Sequence, residues 1–281
     1  MPLHFFMFVL HAGAYRLSLE TPLIMGIVNT TPDSFSDGGA CFDAGAAIAH
    51  ALKLAEDGAA ILDVGGESTR PGAQPVPLAE ELRRVLPVVE ALAGQGLPVS
   101  VDTRKPEVMR AALALGAVMI NDVSALQVPG ALQAVADSDA AVCLMHMQGE
   151  PRSMQLSPRY ADVVSEVRDF LVQRVRLCTE AGIAHERIVV DPGFGFGKSF
   201  EHNLALLGGL GQLRGAGSAV LVGLSRKTML GALTGRDVQA RDYAGVAAHL
   251  AAVDRGARIL RVHNVAAMRD ALAVWNAIRG V

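Results

Sequence analysis

The 281-residue sequence predicts one α/β domain, a closed (β/α)8 TIM barrel in which each of eight parallel strands is followed by a helix. Three observations predict it. Short apolar runs alternate with helix-like stretches eight times, with no linker, charge block or low-complexity tract between them. Hydrophobic residues form 51% of the chain but aromatics only 5%, so Ala, Val, Leu and Ile must build the core, as parallel strands wrapped by helices require. Polar residues collect just after the strand-like runs, where such a barrel places its active site. An open doubly wound sheet is the next-best arrangement, and no unit carries the dinucleotide fingerprint expected of it.

A short hairpin (Phe8 to Leu10, Tyr15 to Leu19) precedes the first barrel strand, Leu23 to Val28, which stops at Asn29-Thr30-Thr31-Pro32. A polar segment and a helix from Ala44 to Glu56 follow. The second strand, Ala59 to Val64, ends in Gly65-Gly66-Glu67-Ser68-Thr69-Arg70-Pro71-Gly72, ahead of a helix from Leu78 to Leu92. The loops after these two strands are expected to be the longest, and long loops are usually lids or binding loops. Val99 to Val101 ends at Asp102-Thr103-Arg104-Lys105, and Pro106 suits the first turn of a helix. Val118 to Ile120 ends at Asn121-Asp122, and Ala140 to Met145 at His146. A long amphipathic helix from Tyr160 to Ala181 is closed by Gly182. The sixth strand, Ile188 to Asp191, puts a carboxylate at its mouth, and Pro192 forbids further ladder pairing. Three glycines in Gly193-Phe194-Gly195-Phe196-Gly197 then let backbone pass close to a ligand. This stretch is not a P-loop, because only three residues separate Gly193 from Gly197-Lys198-Ser199 where four are needed. Ala219 to Leu224 ends at Ser225-Arg226-Lys227, Arg258 to Val262 ends at His263-Asn264, and Val265 to Ile278 is the closing helix.

A net charge of −3 gives no basic field, which argues against nucleic acid as a partner. The three cysteines (Cys41, Cys143, Cys178) have no metal spacing and fit a reducing cytosol. Phe5 to Leu10 imitates a short leader core, but the first Lys or Arg is Arg16, so a cytoplasmic location is expected. No run approaches the roughly 18 apolar residues of a membrane helix.

The mouth of the barrel should therefore carry Asn29, Thr69, Arg70, Asp102, Asn121, His146, Asp191, Ser225, Lys227, Arg261 and His263. Taken singly, each has a structural explanation. Asp102 and Asp191 could cap the helices after them, Asn121 could close a turn, and His146 reads as a buried hydrogen-bonded histidine. The set is harder to explain that way, because buried charges cost several kcal/mol each unless paired or bound to ligand. Two carboxylates, an amide, a lysine and an arginine around one cavity suit a flat, hydrogen-bond-rich heterocycle. Arg261 and His263 share a strand face, so an arginine plane can stack on a ring while its charge and the histidine face an anion. Backbone N–H groups at Ser225-Arg226-Lys227 suit a second anion, with Arg226 itself read as a surface residue.

These residues sit in segments that resemble a known family. MGIVNTTPDSFSDGG (Met25 to Gly39) and DVGGESTRPGA (Asp63 to Ala73) are similar to the two signature segments of the dihydropteroate synthases. SVDTRKPEV, INDVSAL, CLMHMQGEP, VDPGFGFGK, VGLSRK and RVHNV resemble that family's later blocks in order, and the resemblance covers nearly the whole chain from Tyr15 onward. The resemblance implies a (β/α)8 barrel that condenses a dihydropterin hydroxymethyl diphosphate with 4-aminobenzoate, releasing pyrophosphate through a pterin cation. It implies that Asp102, Asn121, Asp191 and Lys227 hold the pterin, with Met145 and Phe194 lining its pocket. Arg261 would stack on the ring and, with His263, Thr69 and Asn29, meet the diphosphate. Asn29 would also hold Mg2+. Phe35, Thr69, Arg70, Pro71, Phe196 and Ser225 match the aminobenzoate pocket. A homodimer through late helices, 241–254 or 265–278, is implied as well.

Three positions depart from the family's frequent residues. Thr30, where valine is common, is expected on a lid. Arg104, where serine is common, adds charge near the rim. Asn264 replaces an aspartate, so that a neutral amide would orient His263. A corrinoid-dependent methyltransferase barrel shares the pterin rim but gives no reason for the Ser-Thr-Arg-Pro loop or the Ser-Arg-Lys site.

Overall fold

In a strand buried on both faces, apolar side chains point alternately into the barrel and out to its helices, and both sets must find a core. The computed structural model, which describes residues 9–31, 43–68, 72–150 and 153–280, contains two such cores. After the antiparallel pair β1 (Val9–Ala12) and β2 (Tyr15–Ser18) come the barrel strands β3 (Leu23–Asn29), β4 (Ile61–Gly65), β5 (Val99–Asp102) and β6 (Met119–Asp122). The circuit continues through β7 (Ala141–Met145), β8 (Ile188–Asp191), β9 (Ala219–Val222) and β10 (Ile259–Val262), and β10 closes in parallel on β3. The expected (β/α)8 barrel is what forms.

Among the described residues the α-helices are α1 (Ala44–Glu56), α2 (Leu78–Ala93), α3 (Pro106–Ala114), α4 (Ala131–Ala136), α5 (Val163–Glu180), α6 (Phe200–Gly208), α7 (Thr228–Thr234), α8 (Asp242–Asp254) and α9 (Val265–Arg279). Their starts follow from local chemistry. The Asp43 carboxylate accepts from the first-turn N–H groups of α1, and Pro106 opens α3. Ser199 and His202 form a reciprocal capping box on α6. Helix α5 starts at Val163 rather than Tyr160 because Asp162 caps it. The connection after β7 therefore runs from 146 to 162, while the segments after β3 and β4, expected to be the longest, lie partly outside the described residues. An Asp placed three residues into an apparent helical pattern shifted the boundary.

The outer core, between strands and helices, is built on residues such as Val64, Val89, Val101, Ile120, Leu171 and Leu260. A separate inner core fills the lower barrel with Met25, Ile61, Met119, Val189, Leu221 and Ile259, and Leu10, Ala12 and Leu19 pack against it. The N-terminal hairpin is thus a plug for the barrel floor. It is tied there by Gly13 N–H donating to Asp139 O at 3.0 Å and Tyr15 Oη donating to Gly96 O at 2.8 Å. With its floor closed by apolar side chains, the barrel can present polar groups only at the other end.

Truncating a fully buried leucine removes transfer energy and leaves a cavity, at a cost of about 2–5 kcal/mol. Leu10→Ala should therefore lower stability in urea denaturation by about that amount. A loss below roughly 0.5 kcal/mol, the usual range of surface substitutions, would show that the hairpin does not close the floor.

Candidate active site

Strand register assembles the mouth. Asn29 lies opposite Gly65, Gly65 opposite Asp102, and Asp102 opposite Asn121, so the last residues of β3, β4 and β5 and the penultimate residue of β6 stand in one row. Met145 lies opposite Asp191 at the ends of β7 and β8. Alternation sends the side chains of Asp102, Asn121 and Asp191 inward, and all three are buried.

Arg261 crosses this bowl. Its Nε donates to Asp63 Oδ2 at 2.6 Å and its Nη2 to Asp102 Oδ2 at 2.9 Å. Asn121 Nδ2 donates to the same Asp63 oxygen at 3.0 Å. The guanidinium expected to lie on a ring thus spans two carboxylates. Burial works against its charge, but Asp63 and Asp102 together hold its proton above the usual arginine range. Sequence reasoning did not single out Asp63. The available signal was a carboxylate inside the apolar run Ile61–Gly65, which cannot stay buried without a partner.

Burial pushes the Asp102 carboxyl up to about 7, against the pull of Arg261 and with a further push from Asp63. Asp191 is raised as well, chiefly by burial, while Gly193 N–H donating to its Oδ1 at 2.7 Å and the charges of Lys227, Lys198 and Arg261 oppose the shift. Neither aspartate caps a helix. Lys105 occupies the cap position of α3, and Asp191 holds the first turn of its own loop.

The neighbouring loops carry the remaining groups. Lys227 Nζ lies 4.3 Å from the centroid of the Phe196 ring. Phe194 is buried and packs in the outer core, while Met145 is buried against Gly193. The Ser225 hydroxyl lies 2.9 Å from His263 Nδ1, so His263 is oriented by a serine. Asn264 does something else: its Oδ1 caps α9 at Ala267 N–H and its Nδ2 donates to Asp242 at 3.1 Å. The expectation that an amide orients the histidine is corrected on that ground. Arg226 is not a plain surface residue either. It is half-buried with a left-handed φ of 59° and pairs with Asp242 at 3.2 Å. The helix that follows, α7, spans only residues 228–234, and Lys227 N–H is already directed to Leu224 O at 3.3 Å.

Thr30 is fully buried and its hydroxyl donates to Gly65 O at 3.0 Å, so it locks the mouths of β3 and β4 together and is not part of a lid. Arg104 faces Glu67 at 3.4 Å, which offsets the charge it brings to the rim. Lys105 pairs with Glu67 and Glu81 and donates to Val76 O at 2.8 Å, bracing both stems of the segment after β4. His146 is a buried, hydrogen-bonded histidine as read, and burial pushes it down to about 3. Phe35, Thr69, Arg70 and Pro71 lie outside the described residues.

A magnesium ion prefers oxygen donors and usually keeps waters and substrate phosphates in its shell. Among the described residues no group of three His, Cys, Asp or Glu could hold a metal by itself. Asn29, a half-buried amide at the end of β3, fits a hard cation held mostly by a ligand's diphosphate oxygens.

The chain matches the model of the pterin-binding enzymes over residues 25–263. It is 52% identical to a dihydropteroate synthase of Neisseria meningitidis serogroup C, across 96% of this chain and 97% of that protein. The structure of Xanthomonas albilineans dihydropteroate synthase with 4-aminobenzoic acid superposes with a TM-score of 0.89 at 57% identity, over 95% of this chain and 96% of the other. That of Burkholderia cenocepacia dihydropteroate synthase complexed with 7,8-dihydropteroate gives 0.89 at 51%, over 97% and 96%. With its barrel, its polar mouth and these likenesses together, the chain belongs to the pterin-binding enzymes, among the dihydropteroate synthases.

Proposed function

We propose that this chain joins 6-hydroxymethyl-7,8-dihydropterin diphosphate to 4-aminobenzoate, releasing pyrophosphate and forming 7,8-dihydropteroate for folate synthesis. The observation that carries the reading is the convergence of Asp102, Asn121, Asp191 and Arg261 on one barrel mouth, with Asp63 beneath them. The relatives with 4-aminobenzoic acid and 7,8-dihydropteroate bound support it.

In this reading the Asp102 and Asp191 carboxylates accept N–H bonds from the aminopyrimidinone edge, Asn121 reads a mixed donor and acceptor edge, and Lys227 meets a carbonyl or ring nitrogen. Arg261 exchanges one of its carboxylates for the ring face, and His263 with Thr69 faces the diphosphate. Asn29 would hold Mg2+, and the ion would supply positive charge to the leaving diphosphate. The bond between the pterin methylene and the diphosphate oxygen breaks first, and the pair of electrons leaves with pyrophosphate. Buried Asp191 favours the pterin cation that remains. The aniline nitrogen of 4-aminobenzoate, held among Phe35, Arg70, Pro71, Phe196 and Ser225, then attacks the methylene and loses its proton. No enzyme nucleophile is needed, so positioning and electrostatics supply the rate.

A homodimer fits the late helices, because Tyr243 on α8 and Val274 and Ile278 on α9 are exposed. No described helix is long and apolar enough to cross a membrane, which accords with a cytoplasmic enzyme acting on small molecules.

Mixing the protein with both substrates and Mg2+ should release pyrophosphate and form dihydropteroate in equal amounts. Methyl transfer from a methylfolate without pyrophosphate would favour the corrinoid-type reading instead. A pH dependence follows from Asp102. Its carboxyl titrates near 7, and only the ionised form accepts two N–H bonds, so pterin affinity should rise through that pH and level off above it. Calorimetry should find binding about tenfold weaker at pH 6 than at pH 8. Asp102→Asn should flatten this profile, and an unchanged slope in that variant would remove Asp102 from the pterin contact.

A further inference from the structure

Lys198 is a buried lysine that the reading above does not use. It is 2% exposed, and among the described residues no carboxylate stands within ion-pairing distance of it. Its Nζ is enclosed by Gly193 O and Phe196 O, each at 3.0 Å, by His146 O at 3.3 Å and by His146 Nδ1 at 3.0 Å. Three carbonyls from two different loops therefore turn toward one amine. An ammonium in a dry site is costly, and burial pushes this one down to about 7, with Asp191 partly opposing the shift.

The backbone around it is built for this contact. Gly193 has a φ of 68°, and a Cβ there would lie 2.0 Å from His146 O; at Gly197, with a φ of 61°, one would lie 2.3 Å from Gln148 O. Only glycine permits the loop after β8 to press this closely on the segment after β7. His146 N–H donates to Asp191 O at 3.0 Å, and its ring packs edge-on against Phe170 at 5.0 Å, so the partner side of the clamp is itself fixed. On the other side, Gly193 N–H holds Asp191 Oδ1, and Phe196 meets Lys227. The residues that Lys198 grips by their carbonyls thus touch groups at the pterin bowl: Gly193 and His146 hydrogen-bond to Asp191, and Phe196 lies against Lys227.

We propose that Lys198 is a positioning residue for the pterin substrate: it pins the 193–196 loop to His146 and thereby fixes the Asp191 carboxylate where the ring of the substrate meets it. Without it the three carbonyls repel one another and the loop is free to move away from His146. The pterin then has to order the loop as it binds, which weakens binding and leaves the chemistry of the bound complex intact. A residue that merely kept the protein folded would behave differently, lowering the active fraction and hence the apparent kcat with KM unchanged.

The inference rests on the dihydropteroate synthase reading, and the wild-type enzyme separates the two. A wild type that releases no pyrophosphate defeats that reading, whereas an active wild type allows the variants to test Lys198 alone. In Lys198→Met, which keeps the length without donors, KM for the pterin diphosphate should rise at least tenfold with kcat within threefold. Calorimetric affinity for the pterin diphosphate with Mg2+ should fall in parallel. Lys198→Gln, with two amide donors, should recover part of the loss. KM unchanged in Lys198→Met, or kcat falling while KM stays fixed, would overturn the proposal. If Lys198→Met does not fold, Lys198→Gln carries the test with an intermediate KM expected, and failure of both to fold would make Lys198 structural and also overturn it.

Discussion

The contact between Arg261 and the paired carboxylates Asp63 and Asp102 is the constraint around which the barrel mouth is arranged. Asp63 is fully buried, its Oδ2 bonded to Arg261 and Asn121, and no donor among the described residues reaches its Oδ1. Removing one partner of a buried ion pair typically costs about 3–5 kcal/mol, several times the worth of an exposed pair. One guanidinium reaching from β10 across the bowl allows two acids from β4 and β5 to face the barrel axis. The same charge makes the site responsive to a ligand. A planar cationic face and two carboxylates already oriented toward the axis are the complement of a ring with donors on its edge.

The fold supplies the positions at which these groups meet. Parallel register brings Asn29, Gly65, Asp102 and Asn121 level, and glycine at the second of these leaves room, since a Cβ at Gly65 would already sit 3.4 Å from that of Asp102. Below them the inner core and the hairpin exclude water from the barrel floor. Above them the strand mouths are tied in pairs: β3 to β4 by Thr30, the connection after β9 to that after β10 by Ser225 and His263, and the connection after β7 to that after β8 by Lys198. Each tie crosses between neighbouring loops, so the bowl is braced around its circumference and less depends on any single loop.

Much of this was legible in the sequence for identifiable reasons. Strands buried on both faces leave unbroken apolar runs, and the polar residue that ends each run marks the mouth, which is how Asp102, Asn121 and Asp191 could be found. What could not be read depended on direction or on distant contacts. Asp63 lies two residues inside its strand, where only the inward alternation reveals it. The partners of Lys198 come from residue 146 and from a loop whose shape is set by left-handed glycines. Asn264 looked like a neighbour for His263 because it is adjacent in the chain, yet both residues lie past the end of β10, where the amide turns to cap α9. The hairpin was visible as two short strands, but its place under the barrel was not, because four-residue strands say nothing about what they pack on.

The central claim is energetic coupling between Arg261 and the acids it bridges, and a double-mutant cycle with Asp63→Leu and Arg261→Met measures it directly by urea denaturation. Arg261→Met should cost about 3–5 kcal/mol, because it strands buried carboxylates, and Asp63→Leu less, because Arg261 keeps Asp102. The double variant should cost less than their sum by about 2–3 kcal/mol. Costs that add to within about 0.5 kcal/mol would mean that the two residues are energetically independent and would contradict the account.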